Sequence, residues 1–214
     1  MKRTRVLLAD DHRIVAEGLR NILEPAFTLV AIVEDGRELI EVALREQPDV
    51  IVADITMPLL NGLDAIDAIR SAGCQAKVVF LTMHRDATYA ARALRSGASG
   101  FVLKHSAAEE LLTAIRCAIA GETFVTQSIA ESIEQMPASR RANKQMEQPL
   151  LTPRQREVLQ LFAEGHTAPQ VAKVLQISKR TAENHKARIM CALGVSSTSD
   201  LVQYAIRHGL IAGK

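Results

Sequence analysis

Five residues that could do chemistry follow four short apolar runs in the amino-terminal half of the chain. Asp10 and Asp11 come after the first run, Asp54 after the third, Thr82 after the fourth and Lys104 after the fifth. Three carboxylates that meet repel one another unless a cation lies among them, and oxygen ligands of this kind favour Mg²⁺. A lysine and a hydroxyl beside such an ion suit a bound phosphoryl group.

The elements that must bring these residues together are apolar runs that alternate with helical patterns. The five runs are residues 5–9, 28–33, 50–53, 77–81 and 100–103. The helical patterns cover about residues 14–23, 37–46, 62–72, 86–95 and 107–120. Because the runs are apolar throughout rather than alternating, they predict strands buried on both faces of a sheet. We therefore expect an α/β fold with a doubly wound, five-stranded parallel sheet whose carboxyl-terminal edge gathers the five residues.

Helix capping is the alternative explanation for these residues. Asp and Thr often cap helices at the turns that follow strands, and capping accounts for any one of these residues equally well. Polar residues at four separate strand ends are harder to explain in this way. Lys104 is also the only lysine between Lys77 and Lys144. The set as a whole favours a binding site.

Composition and charge limit the class of protein. The chain has 214 residues, 48% of them apolar and 23% charged, which predicts one or two globular domains and excludes a largely disordered chain. No apolar run approaches the roughly 18 residues that span a bilayer, so we expect no membrane partner. Three widely spaced cysteines without a CxxC pair favour a reducing cytoplasm. Residues 1–120 have 14 Lys and Arg against 16 Asp and Glu, whereas residues 151–214 have 9 against 4, which suggests a polyanionic partner for the second half.

The patterns divide the chain into a sheet domain at 1–121, a connection at 122–149 and a helical domain at 150–214. The connection is strand-like at Phe124-Val125, continues as a short helix and then becomes polar, as in a flexible linker. The helical domain begins at Thr152-Pro153, a capping hydroxyl before a proline. Its four short helices predict a small all-α helix-turn-helix domain.

The third helix of this second domain begins at Ser178 and is basic. Four basic residues and Glu183 give residues 178–188 a net charge of +3. Asn184 has the amide that can pair bidentately with adenine in a major groove. The candidate phosphate contacts are Lys179, Arg180, Lys186 and Arg188. A basic helix is by itself more often a solvated face, so the surrounding helix-turn-helix pattern gives this reading its weight.

Residues 4–120 resemble the receiver domain of two-component response regulators. The motifs that carry the resemblance are Asp10-Asp11, Asp54 to Pro58 followed by Asn61-Gly62, Thr82, Gly97-Ala98, Gly100-Phe101 and Lys104. The resemblance implies a flavodoxin-like sheet and an Asp54 nucleophile that accepts a phosphoryl group from a sensor histidine kinase. His105 departs from the family pattern, in which proline usually follows the lysine.

The same resemblance implies roles for the residues around Asp54. Mg²⁺ is expected to be held by the carboxylates of Asp10, Asp11 and Asp54 and by the backbone carbonyl of Thr56. Lys104 would pair with the phosphoryl oxygens, Thr82 would hydrogen-bond one of them, and Phe101 would rotate inward behind Thr82. His84, two residues past Thr82, is a candidate for tuning hydrolysis of the acyl phosphate.

Residues 151–212 are similar to the LuxR-type helix-turn-helix, so the whole chain resembles a response regulator of the NarL/FixJ family. The similarity rests on Leu151 to Leu159, Gly165, Val171-Ala172, Leu175, Ile177-Ser178, Thr181, His185, Ile189 and Leu193 to Val195. It implies a last helix that pairs two domains through Val202. The implied DNA-reading surface consists of Lys179, Arg180, Thr181, Glu183, Asn184, His185, Lys186 and Arg188. Ala168-Pro169-Gln170, Ala182 and Glu183 depart from the usual pattern, so the operator preference does not follow from the resemblance.

These observations leave three hypotheses for the function. The leading one is a phosphorylation-switched regulator of transcription, not an enzyme, whose receiver masks the basic helix until phosphorylation favours homodimers on paired half-sites of double-stranded DNA. The alternative is a constitutive DNA-binding transcription factor whose receiver serves as a dimerisation module, although an intact acidic pocket argues against it. An enzyme of the haloacid-dehalogenase type also uses an aspartyl nucleophile, but in a DxD pattern on the first strand, where this chain has Asp10-Asp11-His12.

Overall fold

The computed structural model describes residues 3–83, 87–105, 108–136 and 151–211. The strands are β1 (Arg5–Ala9), β2 (Thr28–Val33), β3 (Val50–Ala53), β4 (Lys77–Thr82), β5 (Gly100–Leu103) and β6 (Phe124–Val125). The helices that alternate with them are α1 (Arg13–Leu23), α2 (Gly36–Glu46), α3 (Gly62–Ser71), α4 (Ala87–Arg95), α5 (Ala108–Ala120) and α6 (Gln127–Glu134). The second domain consists of α7 (Pro153–Ala163), α8 (Ala168–Leu175), α9 (Lys179–Leu193) and α10 (Thr198–Arg207).

The strands form one sheet in the order β2-β1-β3-β4-β5-β6, and every neighbouring pair is parallel. This order confirms the predicted doubly wound α/β fold. The chain reverses its direction of winding between β1 and β3, and ligands of open parallel sheets bind beside such a switch point, outside the carboxyl ends of the strands. Asp10 and Asp54 are the first residues after β1 and β3, so both lie at that point.

The core explains why the strands are apolar throughout. Successive residues of β3 point to opposite faces, so Ile51 belongs to the cluster on one side of the sheet and Val52 to the cluster on the other. Both side chains are fully buried. Helices therefore cover both faces of the sheet, and the strand ends are where polar side chains reach solvent or a ligand.

A sixth strand extends the sheet beyond the five that the apolar runs predict. Phe124 N donates to Ser99 O at 3.0 Å, and Thr126 N donates to Phe101 O at 3.0 Å, so the chain after α5 pairs with the open edge of β5. Helix α6 follows and buries Ile129 in the core of the sheet domain. The short strand-like stretch and the short helix expected here are both present, but they complete the sheet instead of starting a linker. The polar stretch between Pro137 and Pro149 lies outside the described residues.

The second domain has the four helices that the caps predict. Thr152 and Gln155 form a reciprocal capping box at the start of α7, with Thr152 N donating to Gln155 Oε1 at 2.8 Å. Ser178 Oγ accepts from Thr181 N at 3.0 Å at the start of α9, and Gly194 ends α9 with a φ of +64°. Among the described residues, each helix is too short or too polar to cross a lipid bilayer.

Candidate functional site

The carboxyl ends of β1, β3 and β5 bring the predicted acidic pocket together. Asp54 N donates to Ala9 O at 2.9 Å, which continues the pairing of β1 with β3 and sets Asp54 beside Asp10. Lys104 N donates to Thr82 O at 2.8 Å and continues the pairing of β4 with β5 in the same way. Lys104 Nζ then lies 2.6 Å from Asp54 Oδ2 and 2.8 Å from Asp10 Oδ2. Residues almost a hundred positions apart therefore meet at one edge of the sheet.

Among the residues that the structure describes, the pocket holds more negative than positive charge. Burial raises the pKa of Asp54 above its usual value, the Lys104 ammonium opposes that rise, and the Asp10 carboxylate adds to it. Burial would lower the pKa of Lys104, but the Asp54 and Asp10 carboxylates outweigh it and raise that pKa above its usual value. Lys104 is therefore a protonated cation whose side chain is 4% exposed. One ammonium faces three carboxylates, because an oxygen of Asp11 also belongs to the cluster.

The donor set fits a magnesium ion. Oxygens of Asp10, Asp11 and Asp54 and a nitrogen of His12 lie within 4.8 Å of one another. Asp10 Oδ2 lies 2.8 Å from Lys104 Nζ, and Asp11 Oδ1 lies 2.8 Å from His12 Nδ1. Both oxygens are buried, and neither receives a well-aligned hydrogen bond from a described residue. Buried anionic oxygens with unused lone pairs suit a hard cation, and the carboxylates suit Mg²⁺ better than the imidazole does.

The residues expected to respond to a phosphoryl group lie next to this pocket. Thr82 is the last residue of β4 and is fully buried. Phe101 is also fully buried and belongs to the core on one side of the sheet. Thr56 N donates to Asp54 Oδ1 at 3.3 Å, which ties the residue expected to offer its carbonyl to the acceptor. His84 lies outside the described residues.

The loop between Asp54 and α3 ends at Gly62, where the Asp54 backbone passes close by. Gly62 N donates to Ile55 O at 2.7 Å. A Cβ on Gly62 would lie 2.0 Å from the carbonyl oxygen of Asp54, so any larger residue would push that backbone away. Asn61 begins α3 by accepting from Asp64 N at 3.0 Å. The Asn61-Gly62 pair thus fixes where the loop after the acceptor ends.

Helix α9 presents the basic surface that the sequence predicts. The exposed members of the predicted set are Lys179, Arg180, Glu183, Asn184 and Arg188, and the half-buried members are Thr181, His185 and Lys186. Lys186 Nζ donates to Thr198 Oγ1 at 2.9 Å and lies 4.8 Å from the centroid of the Phe162 ring, so it also fastens α9 to α7 and α10. A groove lined by Thr181, Asn184, His185 and Arg188 runs along the exposed face.

Comparisons with known proteins settle the family. The family model described as "Response regulator receiver domain" matches residues 6–116, and the one described as "Bacterial regulatory proteins, luxR family" matches residues 149–205. The chain is a LuxR-type response regulator. The resemblance to the NarL/FixJ family is therefore confirmed, and with it a receiver joined to a DNA-binding domain that regulates transcription under the control of phosphorylation. Proteins of this family are regulators rather than enzymes.

Relatives match the regulator over nearly its whole length. The transcriptional regulatory protein MctR of Rhizobium johnstonii is 32% identical over 98% of this chain and 96% of its own length. The oxygen regulatory protein NreC of Staphylococcus aureus is 35% identical over 97% of this chain and 99% of its own length. Among solved structures, the RcsB response regulator of Salmonella typhimurium has a TM-score of 0.60 at 30% identity, over 95% of this chain and 98% of that one. A complex of RcsB with DNA has a TM-score of 0.60 at 29% identity, over the same shares of the two chains.

The two domains of the regulator contact each other through the loop that follows Asp54. Gln160 is fully buried between them; its Nε2 donates to Met57 O at 2.8 Å, and its Oε1 accepts from Asn61 N at 2.8 Å. Leu59 N donates to Glu164 Oε1 at 3.1 Å. The side chain of Leu59 packs against the core of the DNA-binding domain. The carboxyl-terminal end of α7 therefore binds the receiver at the loop that follows the acceptor Asp54.

Ion pairs extend this interface along α3. Arg156 donates to both oxygens of Asp64, with Nη2 2.7 Å from Oδ1 and Nε 3.1 Å from Oδ2. Arg92 of α4 donates to the same carboxylate at 3.0 Å. Burial opposes ionisation of Asp64, but Arg156 and Arg92 outweigh it and lower the pKa of that carboxyl below its usual value. Arg37 also pairs with Glu157 across the interface.

The receiver contacts the DNA-binding domain away from the exposed residues of α9, and masking of the basic helix stays a prediction. The receiver holds the DNA-binding domain through α7, with a further contact from Tyr89 Oη of α4 to Arg207 O at the end of α10, at 3.4 Å. The strongly basic residues of α9 are exposed in this arrangement. Val202, the expected dimer contact, lies on α10 half-buried against the core of its own domain. Docking through α7 leaves the DNA-reading face open because that face lies on another helix.

Sequence reasoning missed the residues of this interface. Arg156, Gln160 and Glu164 are spaced four residues apart, so they form one stripe along α7. A polar stripe on a helix ordinarily faces solvent, so the sequence alone does not indicate a domain contact on this face of α7. The available signal was Gln160, which stands between Leu159 and Leu161 in an otherwise apolar stretch.

Proposed function

We propose that the regulator accepts a phosphoryl group on Asp54 and responds by binding double-stranded DNA through α9 to regulate transcription. The observation that carries the proposal is the sharing of Lys104 between Asp54 and Asp10, at 2.6 and 2.8 Å. A buried carboxylate at the topological switch point, with an ammonium beside it and more carboxylates around it, is built to receive a charged group together with a metal ion.

Each pocket residue has a part in this chemistry. The carboxylates of Asp10, Asp11 and Asp54 and the carbonyl of Thr56 would hold Mg²⁺, which when bound offsets the negative charge of the acceptor and of the incoming group. An Asp54 oxygen attacks phosphorus as the bond from phosphorus to the donor breaks, so the kinase histidine nitrogen, or acetate from acetyl phosphate, departs with the bonding electron pair. Lys104 pairs with the phosphoryl oxygens during the transfer. Thr82 hydrogen-bonds one of those oxygens, and Phe101 packs behind it. The added charge of about −1.5 to −2 biases the surrounding loops towards a second arrangement.

The proposed partners follow from the two surfaces. A sensor histidine kinase supplies the phosphoryl group to Asp54. Lys179, Arg180, Lys186 and Arg188 contact DNA phosphates, and Thr181, Glu183, Asn184 and His185 face the base edges of the major groove. The similarity to RcsB, which has been solved in complex with DNA, supports this assignment. The three cysteines are free, which suits the cytoplasm.

A homodimer is the proposed DNA-binding form. RcsB has been solved as two dimers on two parallel DNAs. In this chain, we assign the pairing of two DNA-binding domains to Val202 on α10. Two-fold symmetry then predicts paired half-sites about one DNA turn apart. We assign the receiver to residues 1–121, the connection to 122–149 and the DNA-binding domain to 150–214, and within the connection β6 and α6 pack on the receiver.

A constitutive DNA-binding factor, whose receiver serves only as a dimerisation module, is the second candidate function. The exposed basic face of α9 favours it, because DNA could reach that face without domain separation. The intact pocket argues against it, since a receiver that only dimerises has no use for Lys104 buried between two carboxylates.

Genomic footprinting with and without a phosphodonor separates the two candidates. We expect acetyl phosphate with Mg²⁺ to add one phosphate to the chain and to increase occupancy at paired half-sites about one DNA turn apart. The Asp54→Asn variant should take up no phosphate and show no increase in occupancy. Equal occupancy with and without phosphodonor, in a chain that is phosphorylated, would support the constitutive factor. Phosphorylation of Asp54→Asn at the wild-type rate would show that Asp54 is not the acceptor.

A further inference from the structure

The loop after Asp54 contains a residue in an unusual backbone conformation. We define this Asp54 loop as residues 55–61. Leu59 has a φ of +64°, which places a bulky L side chain in the left-handed region. Residues other than glycine rarely adopt this conformation, and it persists where the surroundings hold it in place. Contacts to Leu59 can therefore help to hold the Asp54 loop in this conformation.

The receiver closes a turn around Leu59, with Leu60 N donating to Pro58 O at 2.7 Å, and the DNA-binding domain contacts Leu59 itself. Its side chain packs against that domain's core, and its N–H donates to Glu164 Oε1 at 3.1 Å. On either side, Gln160 donates to Met57 O and accepts from Asn61 N, both at 2.8 Å. Gln160 Nε2 also lies 2.8 Å from Glu164 Oε1, so the two side chains brace each other. Three backbone groups of the receiver loop are thus satisfied by one end of α7.

The other end of the same loop belongs to the acceptor pocket. Thr56 N donates to Asp54 Oδ1 at 3.3 Å, and the carbonyl of Thr56 is the proposed backbone ligand of Mg²⁺. The next residue is Met57, whose carbonyl accepts the hydrogen bond from Gln160. The backbone that offers a metal ligand is therefore restrained from the neighbouring domain.

We propose that Gln160 and Glu164 are positioning residues for the Mg²⁺ site of the receiver, an inference that rests on the proposed function. By holding the Asp54 loop in one conformation, they remove the conformational entropy that the free loop would lose when its carbonyl binds the ion. Mg²⁺ affinity is then higher while the domains are docked. Because coupling between two sites is reciprocal, bound Mg²⁺ also strengthens docking.

The test uses the full-length chain without phosphodonor and measures Mg²⁺ binding by titration calorimetry. The variant Gln160→Leu removes the hydrogen bonds from Gln160 to Met57 O and Asn61 N, and it keeps the helix and the side-chain volume. The variant Glu164→Leu removes the acceptor of Leu59 N–H, whereas Glu164→Gln keeps an oxygen in its place. The exposed Gln203 of α10 supplies the matched control, Gln203→Leu. Amide hydrogen exchange at Leu59 and Asn61 reports the loop directly, with the buried amide of Val52 as the internal reference.

We expect Gln160→Leu and Glu164→Leu to weaken Mg²⁺ binding by about 3- to 10-fold, the range of about one net hydrogen bond. Glu164→Gln and Gln203→Leu should stay within about 2-fold of the wild type. Exchange at Leu59 and Asn61 should be faster in Gln160→Leu, with Val52 unchanged. Faster loop exchange with unchanged or tighter Mg²⁺ binding overturns the inference, and so does unchanged loop exchange. A wild-type chain that binds no Mg²⁺ would instead contradict the proposed function, so the two failures are distinguishable.

Discussion

Asp54 and Asp64 are two buried aspartates ten residues apart, and they differ in the number of cations that face them. Asp54 shares Lys104 with Asp10 and lies in a cluster with Asp11, so its negative charge is under-compensated. Asp64 receives two arginines and the amide of Asn61. Their pKa values move in opposite directions for this reason, upwards at Asp54 and downwards at Asp64.

The different charge compensation of Asp54 and Asp64 shows that burial of a carboxylate does not by itself mark a reactive site. Asp64 is fully neutralised, and its bidentate arginine suits the joining of two domains. Asp54 shares its one described cation, Lys104, with Asp10, so its charge stays under-compensated until a metal ion binds, and carboxylates of this kind cluster at functional sites. The predictions below alter one aspartate or its cation and compare the result with the same change at the other.

The largest expected effect is on phosphorylation when the cation beside each aspartate is removed. Lys104→Met should slow phosphorylation by acetyl phosphate about 100-fold, because one preorganised charge facing the transferred group is lost. Arg156→Met, the matched change at Asp64, should stay within about 5-fold of wild type, since Arg156 does not face the acceptor. The measurement is the rate of phosphate incorporation by mass spectrometry. Equal losses in the two variants would remove the distinction between the two aspartates.

The second effect is on stability and has the opposite sign at the two sites. Asp64→Asn leaves Arg156 and Arg92 facing an uncharged amide and should cost about 3 kcal/mol, as for a buried pair that loses one partner. Asp54→Asn removes the cost of burying an ionised carboxylate and, to a smaller extent, its repulsion from Asp10, and should raise the unfolding free energy of the receiver by about 1 kcal/mol. Urea unfolding without Mg²⁺ measures both. A loss at Asp54→Asn as large as that at Asp64→Asn would contradict the assignment of under-compensated charge.

The pH dependence of these differences should separate the two sites further. Asp64 has a lowered folded pKa, so its stabilisation is fully present above the unfolded value of about 3.9 and is lost as the pH falls through the folded pKa. Asp54 has a raised folded pKa, so its ionisation costs stability as the pH rises from about 3.9 through that raised value. Unfolding curves of each variant and the wild type at several pH values should therefore show the Asp64→Asn loss reaching its full size at a lower pH than the Asp54→Asn gain. The reverse order would contradict the two pKa directions.

The smallest expected effect is the response of thermal stability to Mg²⁺. A ligand at about ten times its dissociation constant stabilises a fold by about 1.4 kcal/mol, which raises the Tm of a domain of this size by a few degrees. Wild type and Arg156→Met should both show this rise when melted with Mg²⁺ and with a chelator. Asp10→Asn, which removes one proposed ligand, should show a smaller rise. If Arg156→Met lost the rise in Tm and Asp10→Asn kept it, the ion would bind beside Asp64 instead of Asp54.

The acceptor pocket was predictable from sequence because local patterns determine it. Apolar runs fix which residues are strands, parallel winding puts strand ends at one edge, and the residues after those ends are Asp10, Asp54 and Lys104. The caps of the helical domain, such as Thr152 with Gln155, are also local and were predicted. The sixth strand was seen only as a strand-like stretch, because two residues carry too little periodicity to place them in a sheet.

The interface between the domains was not predictable from such patterns. Arg156, Gln160 and Glu164 have the spacing of a solvated helix face, and only tertiary contact turns that face into a buried one. Sequence periodicity gives the faces of a helix but not the partner that each face meets.

The most direct test of the contrast is to find which aspartate carries the phosphoryl group. The full-length chain is incubated with acetyl phosphate and Mg²⁺, treated with borohydride to reduce the acyl phosphate to an alcohol, and mapped by peptide mass spectrometry. Our account predicts that the reduced side chain appears at position 54 and that Asp64 is unchanged. Reduction at Asp64, or at Asp10 or Asp11 in place of Asp54, would contradict it.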